Sequence, residues 1–475
     1  MNDAPDPEKS AAATLEPPHD ETEAVESPGV INPAFVAQFV GAIGDGDKPF
    51  MLRTMKELHP ADTADLLEHL PPEAFRKAIH ILSKSLPAEA VAELSDEMRL
   101  EALHELTDDA IVAMTAHLDT DDASFLLNDL EEDRRARILQ RVTPSDRAAI
   151  ESSLAFDEES AGRLMQRDFV AAPVFWNVGQ AIDHMRHVAI EELPENFFEI
   201  YLVDPGFRLQ GSVSVSKLLR FARDTPLKSI MKEIPAHVTP QMDQEEVAFL
   251  FRQYNLASAP VVDEAGRLTG MITIDDVVDV IQDEAEEDML ALSGVSEAGV
   301  NQSVFSAVRA RVPWLAINLG TAFIASTVVS IFSGVLDKFV TLAFLMPVVA
   351  GVSGNCGSQS LAVAVRAIAE RDMEGQMVVR AIRREALTAL INGVVIAWSA
   401  ALASLVLFHV PKISLVIGLS MMITFTWAGL IGLLAPLTLK RLGADPAVAS
   451  SVFVLTSIDM MSFFVFLGLA TVMLL

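Results

Sequence analysis

Cysteine is nearly absent from this chain of 475 residues, in which Cys356 stands alone. A single cysteine excludes an intramolecular disulfide, and this is compatible with a reducing compartment. The N-terminus also lacks a basic segment followed by an apolar one, so we expect no signal peptide there. Insertion into a membrane would therefore depend on segments further along the chain.

Basic residues are scarce, with 35 Lys and Arg against 65 Asp and Glu and a formal net charge of −30. The imbalance is confined to one part of the chain. Residues 313–475 carry nine basic against seven acidic side chains, so residues 1–312 carry the other 26 and 58, a net charge of −32. This acidic part would not bind nucleic acid or anionic lipid through phosphate contacts. It could bind cations, or its surface could simply be solvated.

The N-terminal part of the chain has two patterns. Residues 1–32 are rich in Pro, Glu, Ala and Asp, which predicts a disordered tail. Residues 33–160 show short amphipathic segments with Pro or acidic starts. Leu58–Leu67 and Leu118–Leu127 echo one another, since each places Pro, Asp or Thr before a Leu-Leu pair. This repetition predicts a superhelical stack of helical hairpins.

Residues 161–225 and 226–283 read as two copies of a β-β-α module, each with an apolar run that ends in an Asp/Gly turn. The duplication resembles a cystathionine-β-synthase (CBS) domain pair. In the second copy, residues 270–276 match the family's Gly-x-x-Ser/Thr-x-x-Asp signature. The resemblance implies that Thr273 binds a phosphate and Asp276 a ribose, with ATP as a possible regulatory ligand. The first copy has Lys217 in place of the Asp, which disfavours a nucleotide there.

Residues 284–312 read as an acidic connecting helix that continues from the second module. Carboxylates at i, i+3 and i+4, such as Glu284, Glu287 and Asp288, lie on one helical face and repel one another. Such a face is either solvated or able to accept a divalent cation.

Residues 313–475 contain five apolar runs, each close to or longer than the roughly 20 residues that a membrane-spanning helix needs. We place the spans at residues 313–333, 339–368, 386–408, 413–437 and 446–475. Most of the basic residues fall after the second and fourth runs. By the positive-inside rule, the N-terminus is cytoplasmic and the C-terminus outside a multi-pass plasma or inner membrane protein.

Two features of the spans point to an ion pathway. Pro347 and three glycines interrupt the second span, which predicts a broken helix beside water, although a close Gly-mediated helix contact is the alternative. The last span contains one charge, Asp459. A carboxylate at the bilayer centre costs about 2.5–3.5 kcal/mol and usually faces a bundle interior or a water-filled path. A protonated, hydrogen-bonded Asp459 is the other interpretation.

Residues 33–475 resemble the MgtE family of magnesium channels and transporters. The most specific matches are residues 347–359 and 443–447, with Asp459 fourteen residues after Asp445. The resemblance implies a multidomain membrane protein, with an α-superhelical N domain, an α/β CBS domain pair, a connecting helix and an all-α five-span transmembrane domain. Cys356-Gly357-Ser358 and Ser451-Val452 depart from the family pattern, which bears on ion selectivity.

The resemblance also implies two groups of site residues. The pore ion would bind Asp459, with Asn355, Gly354 and Ser451 in the pore lining. Regulatory Mg²⁺ would be held by the acidic residues Asp243, Glu245, Asp276, Asp279, Glu284, Glu287, Asp288 and Asp445.

We therefore expect a homodimeric Mg²⁺ channel or carrier, without enzyme activity, that cytosolic Mg²⁺ closes. Mg²⁺ keeps most of its water and needs few carboxylates, so two Asp459 side chains across a dimer axis would be enough to bind the ion. Transport of Co²⁺, Mn²⁺ or Ni²⁺ is an alternative, and so is a non-conducting nucleotide sensor. An intramembrane aspartyl hydrolase is disfavoured, because it needs two carboxylates in one site and Asp459 is the only acid well inside a span.

Overall fold

The computed structural model describes residues 24–27, 30–188, 193–194, 196–235, 237–292, 304–369, 376–442 and 446–475. The chain divides into two compact units, Met1–Val277 and Val278–Leu475. Within the predicted tail, β1 (Val25–Ser27) pairs antiparallel with β2 (Val30–Ile31). That segment is ordered, contrary to the prediction, because Ile31 is buried in the core of the helical domain that follows. The rest of the tail before Ala24 lies outside the described residues.

Ten short helices form the first part of unit 1. They are α1 (Pro33–Asp45), α2 (Lys48–Glu57), α3 (Pro60–Glu68), α4 (Pro72–Leu82), α5 (Ala88–Ala92), α6 (Asp96–Glu105), α7 (Asp108–Thr115), α8 (Thr120–Asn128), α9 (Glu132–Leu139) and α10 (Pro144–Leu154), with a 3₁₀ turn at Ser83–Ser85. Proline at the first helical position begins α1, α3, α4 and α10, where its missing N–H has no helical partner to lose. The Leu-Leu pairs of α3 and α8 are fully buried, as the repeat predicts.

The second part of unit 1 contains the CBS pair. Its elements are α11 (Ala161–Leu164), β3 (Ala171–Pro173), α12 (Val178–His187), β4 (Glu199–Val203), β5 (Leu209–Ser214), α13 (Val215–Leu218), α14 (Leu227–Ile230), α15 (Gln244–Tyr254), β6 (Ser258–Val262) and β7 (Leu268–Thr273). The next helix, α16 (Ile274–Leu292), begins in unit 1 and continues into unit 2. The predicted strand pairs β4–β5 and β6–β7 are both antiparallel. β3 adds a parallel strand to the first sheet. The buried Tyr201 hydroxyl donates to Ser258 Oγ at 2.9 Å and joins the two modules.

Unit 2 contains α17 (Val304–Ile331), α18 (Ser333–Lys338), α19 (Thr341–Ala369), α20 (Gln376–Phe408), α21 (Pro411–Arg441) and α22 (Pro446–Leu474). Five of these are long and apolar enough to span a membrane: Ala307–Ile331, Thr341–Ile368, Met377–Phe408, Pro411–Arg441 and Ser451–Leu474.

Two predictions for the spans are wrong. The third span begins about nine residues earlier than expected, because α20 continues without a break through Arg380, Arg383 and Arg384, which are good helix formers. The second span is not broken, since α19 runs without interruption past Pro347. The alternative, a glycine-mediated helix contact, describes this helix correctly.

The glycines of α19 and α21 permit close packing of three spans. A Cβ at Gly357 would overlap the Ile458 side chain of α22. A Cβ at Gly432 of α21 would lie 2.6 Å from the Gly357 carbonyl oxygen and 2.8 Å from Ser360 Cβ. Such small residues let membrane helices approach where no hydrophobic effect drives them together. The absence of a side chain at these glycines thus allows α19 to pack closely against α21 and α22.

We expect Gly432→Ala to destabilise the membrane domain by about 1–3 kcal/mol, the usual cost of forcing a methyl group into a packed contact. The measurement is thermal unfolding of the purified protein in detergent. Gly320→Ala is the matched control, because a Cβ there meets nothing within 4 Å. Equal unfolding temperatures for the two variants would contradict this account of the contact.

Candidate functional site

Asp459 lies in the middle of α22, at the border between the packed and the open side of that helix. The buried side repeats every four residues, at Val454, Ile458, Ser462 and Phe466. Asp459 follows Ile458 directly and is half-buried. Ser451 is also half-buried and lies two turns earlier. The carboxylate is therefore placed beside a helix contact without being enclosed by it.

The face of α19 next to this position is polar and open. Gly354 is buried, and a Cβ there would lie 3.3 Å from Leu455 Cδ1 of α22, one turn before Asp459. Asn355, Ser358 and Gln359 are exposed. Polar side chains within a span rarely face lipid. This face lies against the helix that carries Asp459, and the described residues leave the face exposed and Asp459 half-exposed.

The opposite side of α19 has its polar groups satisfied inside the protein. Ser353 Oγ and Thr424 Oγ1 share a buried hydrogen bond of 2.9 Å. Ser360 Oγ donates to Glu385 Oε1 of α20 at 2.6 Å. Sequence reasoning placed Glu385 outside the third span and assigned it no role. An acid that directly follows two arginines gave no signal of a partner 25 residues earlier in the chain.

A second site lies in unit 1, where β7 meets the start of α16. Thr273 Oγ1 donates to Asp276 Oδ2 at 2.7 Å, and Gln166 Nε2 lies 3.4 Å from both side chains. Burial raises the pKa of Asp276 to about 7, and the nearby charges of Asp275 and Asp122 add to the shift. The predicted nucleotide residues Thr273 and Asp276 are therefore together, and they are largely enclosed.

Asp121 and Asp122 complete this second site, although their sequence pattern predicted only a helix start. Both lie in the first turn of α8. Burial and then the charge of Asp276 raise the pKa of Asp121 well above its usual value, and burial raises the pKa of Asp122 to about 6. Asp121 Oδ1 is buried and, within the described part of the chain, accepts no hydrogen bond. The Asp-Asp pairs at residues 121–122 and 275–276 were the signal that could have revealed the site.

The chemistry of these aspartates suits Mg²⁺. The ion prefers carboxylate oxygens and usually takes only one or two of them with several waters. An unpaired buried carboxylate oxygen is costly unless a cation or a proton compensates it. Among the described ranges, no group of three or more His, Cys, Asp or Glu side chains is arranged as a ready-made metal cage.

The other predicted regulatory residues are spread over two helices. Asp243 caps α15, where its Oδ1 accepts from the Glu245 N–H at 2.8 Å. The residues on α16 share one helix, as their spacing predicts: Asp276, Asp279, Glu284, Glu287 and Asp288. Asp445 lies outside the described residues.

Architecture and sites define a class: a multi-span membrane protein with a helical domain and a CBS pair attached. Family models match at residues 346–469 (MgtE, divalent cation transporter), 58–159 (MgtE intracellular N domain) and 227–283 (CBS domain). The chain is 32% identical to the magnesium transporter MgtE of Thermus thermophilus, over 91% of this chain and 97% of that one. Identity to the MgtE of Bacillus subtilis is 28%, over 92% and 96%.

The chain belongs to the MgtE family, and as a member of this transporter family it is not an enzyme. A crystal structure of the cytosolic domain of the Mg²⁺ channel MgtE in complex with ATP is also similar. It has 31% identity, a TM-score of 0.48, and covers 52% of this chain and 99% of that one.

We expect the stability of unit 1 without divalent ions to fall as pH rises from about 4 to about 7. The folded carboxyls of Asp121, Asp122 and Asp276 have raised pKa values, so across this range the native state binds more protons than the unfolded state. Thermal unfolding of the full chain in EDTA at several pH values measures this.

Asp121→Asn should flatten the pH dependence, because it removes one of the buried titrating groups. Glu132→Gln is the control and should preserve the dependence, since Glu132 is exposed at the start of α9. A dependence that is unchanged in Asp121→Asn would exclude this carboxyl as its source.

Proposed function

We propose that this chain forms a homodimeric channel through which Mg²⁺ enters the cytoplasm, and that cytosolic Mg²⁺ closes it. The observation that carries the proposal is Asp459 beside the uncovered polar face of α19, in the middle of the spans. Two relatives that match along nearly the whole chain, and a third that matches over 68% of it, are magnesium transporters, which supports Mg²⁺ as the ion.

A dimer follows from the count of carboxylates and from the open face. One Asp459 and one row of amide and hydroxyl groups cannot surround an ion. A second copy across a two-fold axis would cover both polar faces and place two carboxylates at one level. Mg²⁺ gives up water reluctantly, so the two Asp459 side chains would bind a largely hydrated ion. Asn355 and the Gly354 backbone would contact its water shell, with Ser451 two turns away along the path.

Direction and driving force follow from charge. Arg366, Arg380 and Lys440 lie at the end of the second span, the start of the third and the end of the fourth, which are ends on one side of the membrane. Basic residues on that side favour a cytoplasmic N-terminus in a plasma or inner membrane. The membrane potential supplies about 2.3 kcal/mol per charge for each 100 mV. A divalent cation would therefore move inward without ATP hydrolysis.

The gate would use the acidic part of the chain. Without Mg²⁺, Asp121, Asp122 and Asp276 repel one another, and the carboxylates along α16 add like charge. Bound Mg²⁺ would compensate these charges and favour the closed arrangement. Each ion stabilises that state only by the difference in its affinity for the two states, so several weak sites would act together. Asp243, Glu245 and Asp445 would extend the set of regulatory ligands.

ATP is proposed only as a regulatory ligand of the second CBS module. Thr273 and Asp276 hydrogen-bond each other, so a nucleotide that bound both would have to replace this contact. It would also bind next to the carboxylates proposed to hold Mg²⁺, which would couple the two ligands.

Another divalent cation is the second candidate. Softer metals prefer thiolate and imidazole ligands. Cys356, the only thiol, is buried, and its Sγ lies 4.0 Å from the Phe425 carbonyl oxygen on the side of α19 that packs against α21. The open face offers amide and hydroxyl groups instead, which favours Mg²⁺.

We expect Asp459→Ala to reduce Mg²⁺ flux into proteoliposomes to the level of protein-free vesicles, because the dimer loses both carboxylates proposed to bind the ion. Flux is followed with a Mg²⁺-sensitive dye trapped inside. Asp337→Ala is the matched control, since Asp337 is exposed in the short helix α18. Normal flux in Asp459→Ala, or no divalent flux in the parent protein, would reject the channel proposal, and the latter would favour a non-conducting sensor.

We expect Asp121→Asn to shift closure to higher Mg²⁺ on the cytosolic face. A shift of about tenfold corresponds to about 1.4 kcal/mol lost from the closed state. Flux at graded Mg²⁺ measures the midpoint, with Glu97→Gln, an exposed acid of the same domain, as the control. A midpoint that is identical in all three proteins would exclude Asp121 from the gate.

A further inference from the structure

Helix α17 leaves a groove between itself and helices α21 and α22. The groove has a volume of about 830 Å³ and is lined mainly by apolar side chains. Those that carry the argument are Trp314 and Val328 of α17, Trp427 of α21, and Phe453 and Met460 of α22. All of these lie in unit 2, and the α17 residues lie within the membrane span Ala307–Ile331.

The hydroxyl groups in the lining already have partners. Thr321 Oγ1 donates to the Asn318 carbonyl, and Thr456 Oγ1 donates to the Val452 carbonyl. Ser457 Oγ accepts from Trp427 Nε1 at 3.2 Å. What the groove offers to a ligand is therefore apolar surface, and at membrane depth the occupant is hydrocarbon or protein.

The width of the groove favours hydrocarbon. Trp314 and Val328 are 14 residues apart, about 21 Å along a helix, so 830 Å³ corresponds to a mean cross-section of about 40 Å². A helix with its side chains is about 10–12 Å across and needs roughly twice that area. A membrane helix of a second copy could therefore only lie across the opening of the groove, whereas an extended acyl chain is thin enough to enter it.

Two arginines of α17 precede the first residue of the groove lining, Trp314. Arg311 precedes Trp314 by three residues and so lies on the same face of α17. Arg309 is close by, and in the described part of the chain neither arginine forms an ion pair. Both are exposed and lie five and three residues before Trp314. Arginine binds phosphate oxygens through two parallel N–H donors.

We propose that this groove holds an acyl chain of an anionic membrane phospholipid, with the lipid phosphate bound by Arg311 and with Arg309 beside it. The lipid packs against Met460, the residue after Asp459, and so contacts the helix that carries the proposed ion ligand. The negative charge of residues 1–312 as a whole does not prevent this, because the two arginines lie at the membrane end of that region.

The experiment uses tryptophan quenching by phospholipids brominated on their acyl chains. The parent protein retains only Trp427, with Trp176, Trp314 and Trp398 replaced by Phe, and is placed in phosphatidylcholine vesicles that contain a minority of phosphatidylglycerol. We expect brominated phosphatidylglycerol to quench Trp427 more strongly than brominated phosphatidylcholine at the same mole fraction. Arg311→Gln should remove that difference. Thr321→Phe should fill the groove and reduce quenching by both lipids.

Ala322→Phe is the matched control, because it adds the same side chain to an exposed position of α17 outside the groove lining and should leave quenching unchanged. A protein that retains only Trp398, which is 71% exposed, reports general contact with lipid. Equal quenching of Trp427 by the two lipids, or quenching unaffected by Thr321→Phe, would overturn the proposal. So would an unquenched Trp427 beside a quenched Trp398, which would mean that protein closes the groove. None of these readouts depends on ion flux.

Discussion

A carboxylate that is removed from water requires a proton or a cation beside it, and this constraint applies at both sites of the protein. In the membrane it concerns Asp459, alone in the middle of α22. In unit 1 it concerns Asp121 and Asp276, whose pKa values are raised by burial and by neighbouring carboxylates. Burial of an ionised carboxylate is unfavourable when no cation is bound, and a bound cation removes part of that electrostatic cost. These groups are therefore suited to respond to a cation. Ion conduction at Asp459 and ion sensing at Asp121 and Asp276 would thus both depend on a cation that compensates a buried carboxylate.

The membrane domain separates its polar groups onto two sides of one helix. On the packed side of α19, hydroxyls are hydrogen-bonded to α20 and α21, and glycines bring the backbones close together. On the other side, Asn355 and its neighbours are open. Because the buried hydroxyls of Ser353 and Ser360 already have partners, the open side of α19 is the side that we propose for the ion and for a second copy.

The groove along α17 differs from both the open polar face of α19 and its packed side, because it is apolar and accessible from the bilayer. Its hydroxyls are satisfied and its width suits a hydrocarbon chain, so the bilayer itself would complete the structure there. Since α22 contributes to the groove on one side and carries Asp459 on another, lipid and ion would act on a single helix. A lipid in the groove would thus contact the helix that carries the proposed ion ligand.

Much of the architecture was determined by sequence alone. Apolar runs of about 20 residues predict the number of spans, and apolar segments that end in Asp/Gly turns predict the strand pairs. Asp459 stands out because it is the one acid in its apolar run. All three features depend on local sequence pattern. Tertiary structure decided the rest. Pro347 did not break α19, since packing against α21 and α22 outweighs local propensity. Asp121 and Asp276 are 155 residues apart, and Ser360 reaches Glu385 across two helices; such pairs become visible only when folding brings distant segments into contact.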